Sequence, residues 1–143
     1  MQEVIFICIL SLITYADIKE RRIPNVLLLL SIMVKLIGAL LQDEAQLYGI
    51  LGIFGNALAV SLPLWLLVAL MDRILGKKTM GGGDIKLVFV TGMYLGWEQN
   101  LLMLFIAGII ALSYVLVRKE KEIPFGPAIA IATVLIMILE RIG

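Results

Sequence analysis

Six apolar runs separated by short polar connections constrain this chain more than any other feature. A helix needs roughly 20 apolar residues to cross a bilayer, and the runs cover residues 1–16, 23–41, 47–71, 81–97, 101–117 and 123–139. Hydrophobic residues make up 62% of the 143-residue chain, whereas about half is usual in soluble domains. The sequence therefore predicts an all-α, polytopic integral membrane protein with six transmembrane helices in one domain, residues 1–143.

Basic residues occur in every second connection between the apolar runs. The connections after the first, third and fifth runs contain Lys or Arg, and the connections after the second and fourth runs (42–46 and 98–100) contain none. The basic residues are Lys19, Arg21, Arg22, Arg73, Lys77, Lys78, Arg118, Lys119 and Lys121. Because basic loops stay in the cytoplasm, we predict that both termini lie on the extracytoplasmic side. Lys35, within the second run, is expected to extend outward to the interface.

The composition excludes several functional classes. The chain contains no histidine, which removes Ser-His-Asp and Cys-His catalysis and the usual zinc sites. A net charge of +1 gives no basic field for nucleic acid. The single cysteine, Cys8, cannot form an internal disulfide and is expected to be a small buried side chain. We expect neither a metal nor a cofactor.

Two aspartates mark the ends of apolar runs. Asp17 closes the first run and Asp84 opens the fourth, so the predicted topology places both at the cytoplasmic face. Each alone could be an ordinary loop charge, but a carboxylate at a membrane helix is costly and usually functional. Two neighbouring carboxylates share a proton near neutral pH. One could activate water and the other protonate the leaving amine, and the sequence leaves open which does which.

Glycines precede one aspartate and line one helix. Gly81, Gly82 and Gly83 stand before Asp84; they could turn the chain sharply and leave room for an extended substrate, or form a flexible linker. In the third run, small residues recur along one side, which predicts close packing against another helix. These residues are Gly49, Gly52, Gly55 and Ala59.

Three sequence elements resemble those of the type IV prepilin peptidases, membrane aspartic proteases of the GxGD kind. Asp17 is followed by Ile23-Pro24-Asn25, the second element is Gly81-Gly82-Gly83-Asp84-Ile85-Lys86, and the third is Ile123-Pro124-Phe125-Gly126-Pro127. Their order and spacing, together with six apolar runs, match that family over essentially the whole chain.

The resemblance implies an endopeptidase that removes the short basic leader of prepilins or pseudopilins. It would act at the cytoplasmic face of the inner membrane of a bacterium or archaeon, with Asp17 and Asp84 as the catalytic pair. Its partners would be the precursor and the lipid bilayer, and the oligomeric state stays open. The expected substrate-binding or site-shaping residues are Pro24, Asn25, Gly81, Gly82, Gly83, Lys86, Pro124, Phe125, Gly126 and Pro127. Lys86 could instead only anchor its helix at the interface.

The chain also departs from the long members of that family. Those members methylate the new N-terminus and carry an N-terminal region with paired cysteines. Here the first run begins at Met1 and there is no Cys-x-x-Cys, so we expect a peptidase without methyltransferase activity. Two other functions stay open. One is an ion-coupled transporter with the aspartates as proton carriers, and the other is a non-catalytic subunit of a pilus or secretion assembly.

Overall fold

The computed structural model describes residues 2–20, 23–41, 47–76, 82–118 and 125–142, and these ranges form six α-helices. The helices are α1 (Gln2–Glu20), α2 (Asn25–Leu41), α3 (Leu47–Leu75), α4 (Gly82–Leu95), α5 (Trp97–Arg118) and α6 (Phe125–Ile142). The prediction of an all-α chain is confirmed. Two predicted site residues, Gly81 and Pro124, lie outside the described residues.

Two of the described helices are long and apolar enough to cross a membrane. They are Gly49–Leu75, with 27 residues and a mean hydropathy of 2.0, and Trp97–Val117, with 21 residues and a mean hydropathy of 2.4. Large apolar side chains such as Leu66, Phe105 and Leu116 are exposed on them, and acyl chains are apolar enough to cover such surfaces. These helices indicate a membrane protein, while six crossings and the side of each terminus stay predictions.

Helix α4 is the centre of the bundle and contacts α2, α3, α5 and α6. Its side chains Leu87, Val88 and Val90 are buried in the hydrophobic core. Gly92 allows α3 to approach closely, because a Cβ there would lie 2.9 Å from the Cα of Ala57. A short helix that is apolar on several sides therefore holds the surrounding helices together.

The connection between α4 and α5 differs from the predicted one at residues 98–100. Gly96, with a φ of 84°, ends α4 in the left-handed conformation typical of glycine, and α5 begins at the next residue. Asn100 is fully buried. Its Oδ1 accepts a hydrogen bond from the Thr91 hydroxyl (2.8 Å), and its Nδ2 donates to the Val88 carbonyl (3.1 Å). Hydropathy alone predicts a loop here, because it cannot show that Asn100 finds hydrogen-bond partners inside the bundle.

Two other expectations about side-chain position are wrong. A Cβ at Gly52 or Gly55 would meet nothing within 4 Å in the described part of the chain, so this side of α3 faces outward. Cys8 is exposed on α1. The Nζ of Lys35 lies 5.4 Å from the ring centroid of Tyr94, within range of a cation–π attraction, and its extension to the interface stays a prediction.

Helices α1 and α6 run antiparallel and contact each other at both ends. At one end the N–H of Gly126 donates a hydrogen bond to Asp17. At the other end Arg141 Nη2 lies 3.0 Å from Glu3 Oε2. Because each helix contributes one residue to each end, the whole pair is aligned along its length. This pairing positions Asp17 in the bundle.

Candidate active site

Asp17 lies in the last turn of α1 and is only 6% exposed. Its Oδ2 accepts a hydrogen bond of 3.1 Å from the backbone N–H of Gly126. Gly126 is the second residue of α6, where backbone N–H groups have no partner in their own helix. A carboxylate on one helix thus satisfies a donor in the first turn of another.

Gly126 fits this position because it has no side chain. A Cβ there would overlap Oδ2 of Asp17 and lie 3.0 Å from its Cγ. Pro127 comes next in the first turn of α6, where a missing N–H costs no helical hydrogen bond. Phe125 is the first residue of this helix. The Phe-Gly-Pro order therefore provides a free donor without steric obstruction next to Asp17.

Asp84 lies in the first turn of α4 and is partly buried. Gly82 and Gly83 belong to the same helix, so a sharp turn is wrong at these two positions. A Cβ on Gly83 would lie 3.1 Å from the Cβ of Ile23, which is tighter than ordinary contacts. The glycine lets the start of α4 pack against the segment before α2 and thereby places Asp84.

The two carboxyl groups are electrostatically coupled. Neither lies in the two helices that are long enough to cross a membrane. Burial raises the pKa of Asp84 to about 6, and the negative charge of Asp17 adds to the rise. Burial also raises the pKa of Asp17, while the hydrogen bond from Gly126 opposes that rise. The two aspartates therefore lie in unequal surroundings, since the Gly126 N–H favours the charged form of Asp17.

Lys86 lies on another face of α4. It follows Asp84 by two residues, which is about 200° around a helix, and its Nζ donates a hydrogen bond of 3.3 Å to Oδ1 of Asn25. Asn25 is the first residue of α2, and the carbonyl of Pro24 just before it accepts from the Leu28 N–H (3.4 Å). Lys86 and Asn25 thus join α4 to α2 on the side of α4 opposite Asp84.

The described parts of the three sequence elements meet at one end of the bundle. Asp17 bonds the third element at Gly126, Gly83 packs on Ile23 of the first, and Lys86 bonds Asn25. The sequence did not predict that the backbone N–H of Gly126 donates a hydrogen bond to Asp17. The available signal was a glycine followed by proline at the start of the last apolar run.

Most of this chain matches a known protein family. The model of the type IV leader peptidase family matches residues 4–116. This chain belongs to the type IV leader peptidase family. The matched stretch contains both Asp17 and Asp84 and ends before α6.

Similar proteins carry the name prepilin leader peptidase/N-methyltransferase. The one from Aeromonas salmonicida (strain A449) is 33% identical over 133 residues, which are 87% of this chain and 44% of the relative. The one from Pectobacterium carotovorum subsp. carotovorum is 31% identical over 146 residues, covering 94% of this chain and 50% of the relative. This chain therefore spans about half the length of these relatives. No solved structure matches it.

Proposed function

We propose that this chain is an aspartic endopeptidase that removes the basic leader of prepilins or pseudopilins at the cytoplasmic face of the membrane. Family membership supports a peptidase, and the relatives' names support prepilin leaders as substrates. One observation supports the assignment to this site: burial raises the pKa of Asp84 to about 6, and the nearby charge of Asp17 adds to the rise. Paired carboxyl groups that share a proton are the machinery of aspartic proteases.

The unequal surroundings of the two aspartates assign their roles in this proposal. Asp17, whose carboxylate accepts the Gly126 N–H, is the ionised member and takes a proton from the attacking water. Asp84, with a pKa raised to about 6, keeps its proton and donates a hydrogen bond to the scissile carbonyl. The water oxygen then bonds to the carbonyl carbon. As the C–N bond breaks, the leaving amine receives a proton from the pair.

The proposal places the site at the cytoplasmic face of the inner membrane. Basic residues in the connections after the first, third and fifth apolar runs support this side, because such loops stay in the cytoplasm. A precursor whose leader is basic and whose next segment is apolar would reach the carboxylates from the same face. The bilayer would hold the apolar segment nearby.

We further propose that cleavage by this chain is not followed by methyl transfer. Its 143 residues contain one cysteine, so they cannot form the paired-cysteine motif that the long family members carry. Mass spectrometry of the cleaved product, with a methyl donor present, should show an unmodified new N-terminus. A product heavier by one methyl group contradicts this part of the proposal and leaves the peptidase assignment intact.

The peptidase assignment is tested with the purified protein in proteoliposomes and a panel of prepilin precursors. Asp17→Asn and Asp84→Asn should each lower kcat by at least about 1,000-fold, as loss of essential groups does in other proteases. Glu3→Gln is the matched control, because it removes a carboxylate from the exposed end of α1. Cleavage at the wild-type rate by either aspartate variant contradicts the mechanism. Proton or solute flux that depends on Asp84, without cleavage, indicates a transporter instead.

A further inference from the structure

A groove of about 410 Å³ lies between α1 and α6. Residues from both helices line it, and Ser11 and Thr14 are its polar members. Ile131 and Leu135 on its α6 side are 50% and 43% exposed, so the groove opens to the outside of the bundle. An apolar ligand that approaches from the bilayer can enter it.

The groove leads to the candidate catalytic carboxylate. Thr14 precedes Asp17 by three residues on α1, and Ala130 follows Gly126 by four residues on α6. Residues at these spacings share one face of a helix. The lining residues Thr14 and Ala130 therefore lie one turn below the hydrogen bond between Gly126 and Asp17. The apolar groove therefore reaches to within about one helical turn of the carboxylate.

Thr14 is unusual among the hydroxyl side chains of the described helices. Four others each donate to the carbonyl four residues earlier, namely Ser11, Ser31, Ser61 and Thr133. Oγ1 of Thr14 is buried and has no hydrogen-bond partner among the described residues. An unsatisfied buried hydroxyl destabilises the fold. Because threonine uses two χ1 rotamers in helices, this hydroxyl can turn to a group bound in the groove.

We propose that the apolar segment that follows the cleavage site of the precursor binds in the α1–α6 groove and that Thr14 hydrogen-bonds its backbone. This inference rests on the proposed function. The polarity of the surface matches the polarity of the substrate. The charged carboxylate of Asp17 faces a basic leader, and the apolar lining below it faces the apolar segment. A backbone that is extended for cleavage leaves carbonyl and N–H groups unpaired in lipid, and Thr14 satisfies one of them.

A second groove, of about 320 Å³ between α2 and α4, serves as the comparison. Its lining includes Leu29, Phe89 and Lys86, which donates to Asn25. Lys86 and Asp84 are two residues apart and point to opposite sides of α4. This groove lies on the side of α4 opposite Asp84, and its lysine repels a basic leader.

Photocrosslinking distinguishes the two grooves. The photoreactive amino acid p-benzoylphenylalanine is placed at Ile131 or Leu135 in the α1–α6 groove, or at Leu29 in the other, in the Asp84→Asn protein in proteoliposomes. Leu29 is 62% exposed, so it is at least as accessible. We expect precursor adducts from Ile131 and Leu135, located in the apolar segment, at least about fivefold above Leu29. Adducts with lipid only, or precursor adducts chiefly at Leu29, overturn the inference.

Kinetics test the role of Thr14. Thr14→Val should raise KM about fivefold and leave kcat within about twofold, since a hydrogen bond of about 1 kcal/mol is lost on binding. Ser113→Ala is the matched control, because it removes a hydroxyl from an exposed position of α5 that does not line the groove. A purely structural Thr14 predicts unchanged kinetics for Thr14→Val.

Failure of the inference can be told from failure of the proposed function. If the wild-type protein cleaves no precursor, the peptidase assignment fails and the groove inference fails with it. If the wild type cleaves and the aspartate variants do not, the function stands. Unchanged KM for Thr14→Val together with no selective adducts then overturns the groove alone.

Discussion

Helices α1 and α6 have a carboxylate at each end of their contact, and the two ends differ in chemistry. Glu3 is 51% exposed and pairs with Arg141, which is 66% exposed. Asp17 is 6% exposed and accepts the backbone N–H of Gly126. An exposed ion pair contributes about 0–1 kcal/mol, whereas a buried carboxylate destabilises the fold because its charge loses hydration. Only the Asp17 end holds a charge at a cost to stability.

The difference between the two ends shows where a buried charge lowers the stability of the fold. A polar bond between α1 and α6 needs no buried acid, because the exposed end achieves alignment with a surface pair. At the buried end a second carboxyl group, Asp84, is also present and has a raised pKa. Perturbed pKa values of this kind concentrate at functional sites. Substitutions at the exposed end therefore serve as a reference for changes at the buried end.

Gly126→Ala should have the largest effect among these tests. Its Cβ would overlap the carboxylate of Asp17, so either α6 or Asp17 must move. We expect kcat to fall by at least about 100-fold, because small misplacements of catalytic groups cost that much. The measurement is precursor cleavage in proteoliposomes.

Gly108→Ala in α5 is the matched control for that substitution. A Cβ there meets nothing within 4 Å of the described residues, and alanine favours a helix over glycine by up to about 1 kcal/mol. Its activity should equal that of the wild type. If Gly126→Ala is equally active, the contact between Asp17 and α6 has no catalytic importance.

The helices could largely be predicted from the apolar runs. The basic connections between the runs also predict that Asp17 and Asp84 lie at the same end of the bundle. The helix bounds could not be predicted, because helix ends depend on local caps. Helix α1 continues through Asp17 to Glu20, beyond its apolar run. Helix α5 begins at Trp97, because the single residue Gly96 separates it from α4.

The partners of the site residues were not predictable from the sequence. The hydrogen bond from Gly126 to Asp17 joins residues 109 positions apart, and no local pattern encodes such a contact. The same holds for Gly52, which could face a helix or lipid and faces outward. The assignment of Asp17 and Asp84 as a catalytic pair stays a prediction that depends on the cleavage assay.

The value of kcat/KM for precursor cleavage should change about tenfold per pH unit. In the proposed mechanism Asp84 must be protonated, and its pKa is about 6. Raising the pH above about 6 ionises Asp84 in the free enzyme, so kcat/KM should fall about tenfold per unit. At lower pH the rate should fall again as Asp17 gains a proton; burial raises the pKa of Asp17 and the Gly126 N–H only partly opposes that rise. A constant kcat/KM from pH 5 to pH 8 contradicts a shared proton.

Asp84→Asn should increase the free energy of unfolding at neutral pH. The pKa of Asp84 in the folded protein is about 6, above the ordinary value of 3.8, so the folded state binds the proton more tightly. Stability is therefore lost as the pH rises from about 4 to about 6. At pH 7.5 the substitution removes this penalty, and we expect a gain of about 1–2 kcal/mol in the free energy of unfolding, allowing for partial exposure. At pH 4 the variant and the wild type should unfold alike in detergent.

Glu3→Gln and Arg141→Met should have the smallest effects, at the exposed end of the same helix pair. Both side chains are more than half exposed, so solvent screens their attraction, and each substitution should change the free energy of unfolding by less than about 0.5 kcal/mol. Precursor cleavage should stay at the wild-type rate. A double-mutant cycle that gives a coupling well above 1 kcal/mol, or a loss of cleavage in either variant, shows that this end also holds Asp17 in place. The contrast between the ends would then be one of exposure alone, because the Glu3–Arg141 pair would contribute to the geometry of the site across the full length of α1.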